Sequence, residues 1–233
     1  MSRADAERFL RALATKPDAE VPLGEAALAL AMLDRPEADL ARCRAHLAAL
    51  GAEAGVAASA DPDLAARIAA LNQTIAGRHG YRGDAETYDD LANANLIQVI
   101  ERRRGLPVAL GILYIHAARA NGWNIAGLNF PGHFVVGLVQ DGQSAIIDPF
   151  NGGQACDEEA LRSLIGNRPL RREFLAPMGN RDVLIRLQNN LKSRYQQGGQ
   201  VTAALRIIES MLLFAPDRDD LRDEHARLRA RLN

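Results

Sequence analysis

His133 and Asp148 are the residues of this 233-residue chain whose types and placement could do chemistry together. They lie in Pro131-Gly132-His133-Phe134 and Asp148-Pro149-Phe150-Asn151-Gly152-Gly153, on either side of Asp141-Gly142, a strong short-range hairpin signal. With Asp141 and Gly142 as the two central residues of a tight turn, Gln140 pairs with Gln143, Val139 with Ser144, and so on to Val135 with Asp148. Period-two alternation then puts His133 on the face of Asp148 as a diagonal cross-strand neighbour, about 7–8 Å away at Cα. A carboxylate beside an imidazole fixes the ring tautomer and stabilises the imidazolium, which is what a general base needs.

A nucleophile facing the other ring nitrogen would complete a machinery for acyl transfer. The segment placed to offer one runs from Val108 to Ala118 and is almost entirely apolar, so it predicts a helix buried on most of its circumference. Pro107 starts that helix and Gly122 ends it. Ala109 then falls in the first turn, where free backbone N–H groups and the helix dipole would lower a thiol's pKa and hold an oxyanion. Alanine supplies neither thiol nor hydroxyl. Cys43 and Cys156 lie far apart without CxxC or His-spaced company, and they predict neither a zinc site nor a disulfide framework. A metal centre has little behind it, because His133 and Asp148 are two ligands and no HExxH-type spacing adds a third. No cofactor is expected.

The elements around these residues are mostly helical. Asp5–Leu13, Leu23–Leu33 and Ala38–Leu50 carry apolar residues at helical period, separated by Pro17, Pro22, Pro36 and Gly51. Asp61-Pro62 predicts a helix start and Gly77–Gly80 its end near Ala76. A further helix is expected from Asp89 to Arg103. Asn124–Asn129, His133–Gln140 and Ser144–Asp148 predict a small antiparallel sheet. Two helices follow, one with Leu184, Leu187, Leu191 and Tyr195 on a single face, the other Val201–Phe214 before Pro216. Together they match the length of one tetratricopeptide unit. Asp219–Leu232 predicts a charged capping helix.

Arg104-Gly105-Leu106-Pro107 leading into a buried helix, then Pro131-Gly132-His133-Phe134, then Asp148-Pro149-Phe150-Asn151-Gly152-Gly153, resembles the bacterial SirB-type transglutaminase-like family with tetratricopeptide-like C-terminal helices. The likeness is close over Tyr88–Gly153 and extends to about Pro216. It implies an α+β, mostly helical fold: a papain/transglutaminase-like core with its central helix on a small antiparallel sheet, a helical N-terminal segment and a C-terminal helix pair. The expected divisions are residues 1–86, 87–180 and 181–233. The resemblance maps the family's histidine and aspartate onto His133 and Asp148, and its cysteine, a serine in many SirB-type proteins, onto Ala109.

The functional expectation is a non-catalytic relative of an amide-processing enzyme that binds or scaffolds a peptide or protein through its cleft or C-terminal helices. The alternative is a weak amide or ester hydrolase in which the His133–Asp148 pair activates water. Asn95, Arg104, Pro131 and Gly132 are candidate binding residues beside the cleft. His116 is expected to be a core histidine, and His46, His79 and His225 surface ones. A net charge of −1 gives no reason to expect nucleic acid or an anionic membrane as partner, and the short basic clusters fit solvated helix ends. No stretch nears the ~18 apolar residues of a membrane span. A cytoplasmic protein is expected, and the sequence gives no basis for an oligomeric state.

Overall fold

The computed structural model describes residues 2–58, 60–166 and 168–232. The elements follow from apolar periodicity and local capping. Helix α1 (Arg3–Leu13) opens with a capping box in which Ser2 and Asp5 bond each other's backbone. Helices α2 (Leu23–Asp34), α3 (Leu40–Ala57) and α4 (Leu64–Asn72) follow, and α4 runs on as a π-helical turn over Gln73–Arg78. The cap of α4 is Asp63, whose Oδ1 accepts from the Ala66 N–H at 2.8 Å, rather than the expected Asp61. Leu64, directly after it, is the first side chain of this segment to enter the main apolar core.

Residues Arg82–Gly83 (β1) and Arg104–Gly105 (β2) form a short parallel pair that the sequence did not announce. Between them the expected helix from Asp89 to Arg103 is broken in two. Leu91–Ala94 is a 3₁₀ turn, and α5 spans only Leu96–Arg102. Asn95 makes the break: its backbone is extended, and its side chain caps the new helix by accepting from the Gln98 N–H at 3.2 Å. Arg103 ends α5 in the left-handed region (φ 59°), two residues before Gly105.

Helix α6 (Pro107–Ala120) is the hub. Its residues from Pro107 to Ile115 are all buried, and it touches α2, α3, α4 and α5. On its other side stands a four-stranded antiparallel sheet in the order β3 (Asn124–Gly127), β4 (Val136–Gln140), β5 (Gln143–Asp148) and β6 (Gln154–Ala155). The β4–β5 register is the one read from the turn, with Gln140 opposite Gln143 and Val136 opposite Ile147. Asp141 and Gly142 both have positive φ, as a primed hairpin turn requires. His133 lies outside the strand, in a bend made by Gly132 at φ 74°.

After β6 come the short α7 (Glu158–Leu164), then α8 (Asn180–Gln197), α9 (Val201–Phe214) and α10 (Asp219–Ala230). Helices α8 and α9 pack on each other, α10 packs on α9, and α9 reaches back to α1. Asp18 caps α8 from far away in sequence, accepting the N–H groups of Asn180 (2.6 Å) and Arg181 (2.9 Å). One apolar core therefore runs from Ala6 through α6 to Leu228, with a smaller cluster around Phe130, Val135 and Leu161 beyond the sheet.

Candidate functional site

Asp148 ends β5 and caps the 3₁₀ turn Pro149–Asn151. It is 2% exposed, and each carboxylate oxygen is used. Oδ1 accepts from the Phe150 N–H at 2.9 Å and from His133 Nε2 at 2.8 Å, while Oδ2 accepts from Asn151 Nδ2 at 2.7 Å. Burial alone would raise its pKa. The His133 bond and charge, with the Asn151 and Phe150 donors, outweigh burial and hold it below the usual carboxylate value.

The carboxylate can only accept, so the bonded Nε2 carries the ring proton, and in neutral His133 the lone pair sits on Nδ1. Nδ1 makes no hydrogen bond to the described residues. The ring is gripped rather than loose: its side chain is 14% exposed and meets Phe150 edge-on, centroids 5.9 Å apart. Phe150 in turn lies against Gly83, where a Cβ would stand 2.5 Å from its ring. Phe134 is seated the same way between Gly111 of α6 and Gly127 of β3. Glycines let two aromatic rings approach the backbone on either side of His133.

Ala109 lies in the first turn of α6, two residues before the Gly111 that receives Phe134, and is 0% exposed. Gly111 brings α6 against the histidine loop, while Ala109, two positions earlier and so on a different face of the helix, is a buried methyl. The two thiols offer no replacement. Cys43 is buried in α3 with its pKa raised by burial, and Cys156 is pushed up to about 11 by burial and the nearby Asp148 charge. Among the described residues no group of three or more His, Cys, Asp or Glu is placed to hold a metal ion.

The four candidate binding residues separate. Pro131 and Gly132 line a cavity of about 810 Å³ between the histidine loop and α8. Arg104 sits on β2, with Nη1 donating to Glu86 at 3.1 Å. Asn95 is 4% exposed and spends both ends of its amide inside the protein, on the Gln98 N–H and on the Ala31 carbonyl (3.3 Å). That capping duty is what the structure gives it.

Other residues near the site escaped sequence reading. Arg186 on α8 donates through Nη2 to the His133 carbonyl and lies over the Phe134 ring at 5.5 Å. Tyr88 meets Phe150 edge-on at 5.9 Å, and Arg194 lies over Tyr88. Beneath the site, Asn72 Nδ2 donates to the Gly153 carbonyl at 2.9 Å, and the buried Tyr114 hydroxyl has no partner among the described residues. Burial, then the Asp148 charge, raise the Tyr114 phenol above its ordinary pKa. Tyr114, the one hydroxyl in an apolar helix, was the available signal.

The remaining histidines divide as well. His116 is half-buried under α2, as expected of a core histidine, with burial lowering its pKa. His46 and His79 are not surface residues. His46 Nε2 meets the Tyr81 hydroxyl at 2.8 Å and the Arg103 guanidinium, and His79 pairs with Glu53 at 3.1 Å. Both were misread because their partners come from distant segments.

No helix of the described residues is long and apolar enough to cross a membrane. The transglutaminase-like superfamily profile matches residues 41–189. The chain is similar to the UPF0162 protein of Xylella fastidiosa, 37% identical over 166 residues, which cover 67% of this chain and 59% of that protein. It is 33% identical to the UPF0162 protein of Vibrio cholerae over 200 residues, 84% of this chain and 74% of that one. A shorter likeness, 30% over 82 residues, joins it to F-box only protein 21 of Mus musculus. The chain therefore spans less than two thirds of the length of the Xylella relative. No solved structure matches it. The profile covers the central helix, the histidine loop and the aspartate strand, and on that match the chain belongs to the transglutaminase-like superfamily.

Proposed function

We propose that this chain is a transglutaminase-like protein without covalent catalysis, a peptide- or protein-binding module whose cleft is built around His133 and Asp148. The observation that supports the reading is Ala109: the position the resemblance assigns to the nucleophile carries a buried methyl in the first turn of the central helix. Cys43 and Cys156, with raised pKa values, do not substitute for it. The finer assignment is to the SirB-type branch. Segment 87–180 acts as the site-bearing core, 1–86 as its helical support, and 181–233 as a tetratricopeptide-like helical tail that offers a second partner surface. The packing of α8 on α9 across Gly198-Gly199 supports that reading of the tail.

The test is turnover of p-nitrophenyl acetate and of a glutamine-containing peptide amide by the purified chain. The expected result is no hydrolysis or amine incorporation above the level of His133→Ala. Turnover that disappears in a folded His133→Ala variant, yet survives replacement of both cysteines by serine, would replace this reading with a hydrolase in which His133 activates water.

A further inference from the structure

The cavity beside the histidine loop contains an arginine with no carboxylate. Arg186 lies in the middle of α8 and lines this space of about 810 Å³ together with Gly132, Phe130, Ile185, Met178 and Asn189. Its Nη2 is committed to the His133 carbonyl and its plane to the Phe134 ring, which together fix the guanidinium in one place. Among the described residues it forms no salt bridge, whereas the other charges on the same walls are matched. Asp182 pairs with Arg218 at 2.6 Å, and Glu173 with Arg171 at 3.2 Å. A guanidinium has five N–H donors in a rigid fork suited to a carboxylate, and most of those of Arg186 are unspent.

Asn189 lies three residues further along α8, hence on the same helix face. Its amide makes no hydrogen bond to the described residues, and its Oδ1 is sealed from solvent without a partner. A carboxylate can only accept, so what Asn189 offers one is its Nδ2 donor, which bonds nothing among the described residues. Burial lowers the Arg186 pKa, the direction expected of a desolvated cation that lacks a counter-charge. The rest of the wall is apolar, from Phe130, Ile185 and Met178.

We propose that Arg186 and Asn189 form a subsite for the terminal carboxylate of a peptide ending in an apolar residue, held beside the His133 loop. This rests on the peptide-binding reading of the cleft. The carboxylate accepts from the free N–H groups of Arg186 and from Nδ2 of Asn189, and the last side chain fills the apolar wall. The Arg186–His133 contact then couples occupancy of the subsite to the backbone that carries the histidine.

The experiment is calorimetric titration of the full chain with three peptides: N-acetyl-Ala-Ala-Leu with a free carboxylate, its C-terminal amide, and N-acetyl-Ala-Ala-Glu amide. The expected result is that the free acid binds about tenfold tighter than either amide, as a charge-assisted pair implies, and that Arg186→Gln erases the difference. Asn189→Asp is the second variant, since Asn189 bonds nothing in the fold. Its added negative charge should abolish the roughly tenfold preference for the acid over the leucine amide. Equal binding of acid and amide would overturn the subsite while leaving a binding cleft. Tighter binding of the glutamate amide would overturn the C-terminal assignment, and no binding by any peptide would overturn subsite and cleft together. Hydrolysis of a peptide with the acid preference intact would keep the subsite and remove only the non-catalytic reading.

Discussion

His133 gives Nε2 to Asp148 at 2.8 Å and gives Nδ1 to no described group of the protein. The aspartate therefore fixes the tautomer and the ring plane, and Nδ1 is the nitrogen left for chemistry. The contact also carries stability, because Asp148 is buried and accepts three donors.

Replacing Asp148 by Asn sets donor against donor. The Oδ2 position accepts from Asn151 Nδ2, and a carboxamide nitrogen there faces another amide nitrogen. The alternative orientation turns that nitrogen toward the Phe150 N–H. We expect a loss of about 1–3 kcal/mol at pH 7 by urea unfolding. The folded-state pKa of Asp148 is depressed, so its ionic contribution is complete above the unfolded value near 3.8 and is lost as pH falls through the lower folded pKa. The gap between wild type and Asp148→Asn should therefore narrow as pH falls below 3.8. A gap of constant size at pH 3 would mean that the carboxylate's charge contributes nothing.

Gly153 should tolerate no side chain. Its φ is 78°, and a Cβ there would stand 1.8 Å from Asn72 Oδ1 and 2.7 Å from the Tyr114 hydroxyl. Backbone strain and the clash act together, and neither neighbour is on the surface. Gly153→Ala should cost at least about 3 kcal/mol. Gly166→Ala is the control, with a similar φ of 66° and open space around it, and should cost about 1 kcal/mol. Equal losses in urea unfolding would assign the whole effect to backbone strain and none to the packing beneath the site.

The legible parts of the sequence were those fixed by local chemistry. Asp141-Gly142 predicted the hairpin register to the residue from Gln140–Gln143 to Val136–Ile147, whereas His133, expected on that strand, reaches Asp148 from the bend before it. The apolar run after Pro107 predicted the buried helix. What escaped needed partners from far along the chain. The parallel pair joining Arg82 to Arg104, the capping of α8 by Asp18, and Arg186 bonding the His133 carbonyl leave no periodic trace. Asn95 misled in the opposite sense. An asparagine before an apolar run is also an N-cap, and the cap is the role it plays.

The second polar cluster gives the protein a pH dependence of its own. His46 Nε2 receives hydrogen bonds from Tyr81 and the Arg103 guanidinium, and protonation there would set cation against cation. Burial, then Arg103 and His79, lower its pKa to about 4, and the Glu53 charge opposes them only in part. With 6.5 as the ordinary value, the unfolded chain binds the proton first, so stability falls as pH drops from about 6.5 to about 4. Melting temperatures measured across that window should decline more steeply for wild type than for His46→Gln. Parallel curves would show that His46 does not titrate on unfolding.

Ala109 tests the central reading most directly. Helix α6 meets the histidine loop at Gly111 and Phe134, and Ala109, in its first turn, is the residue the resemblance assigns to the nucleophile. Ala109→Cys places a thiol at a helix N-terminus, where the dipole favours the thiolate and burial opposes it. The site is fully buried, so the added sulfur should cost about 1–3 kcal/mol through overpacking. In a variant that also carries Cys43→Ser and Cys156→Ser, we expect p-nitrophenyl acetate hydrolysis above the parent, with an initial burst as the thiol is acylated. That burst should vanish when His133→Ala is added. A folded Ala109→Cys variant without a burst would mean that the α6 turn and the histidine are not aligned for acyl transfer. The missing thiol would then not be the reason for inactivity. A His133-dependent burst would mean that the constellation is intact but for one sulfur atom, and that the chain's binding cleft is an acyl-transfer site without its nucleophile.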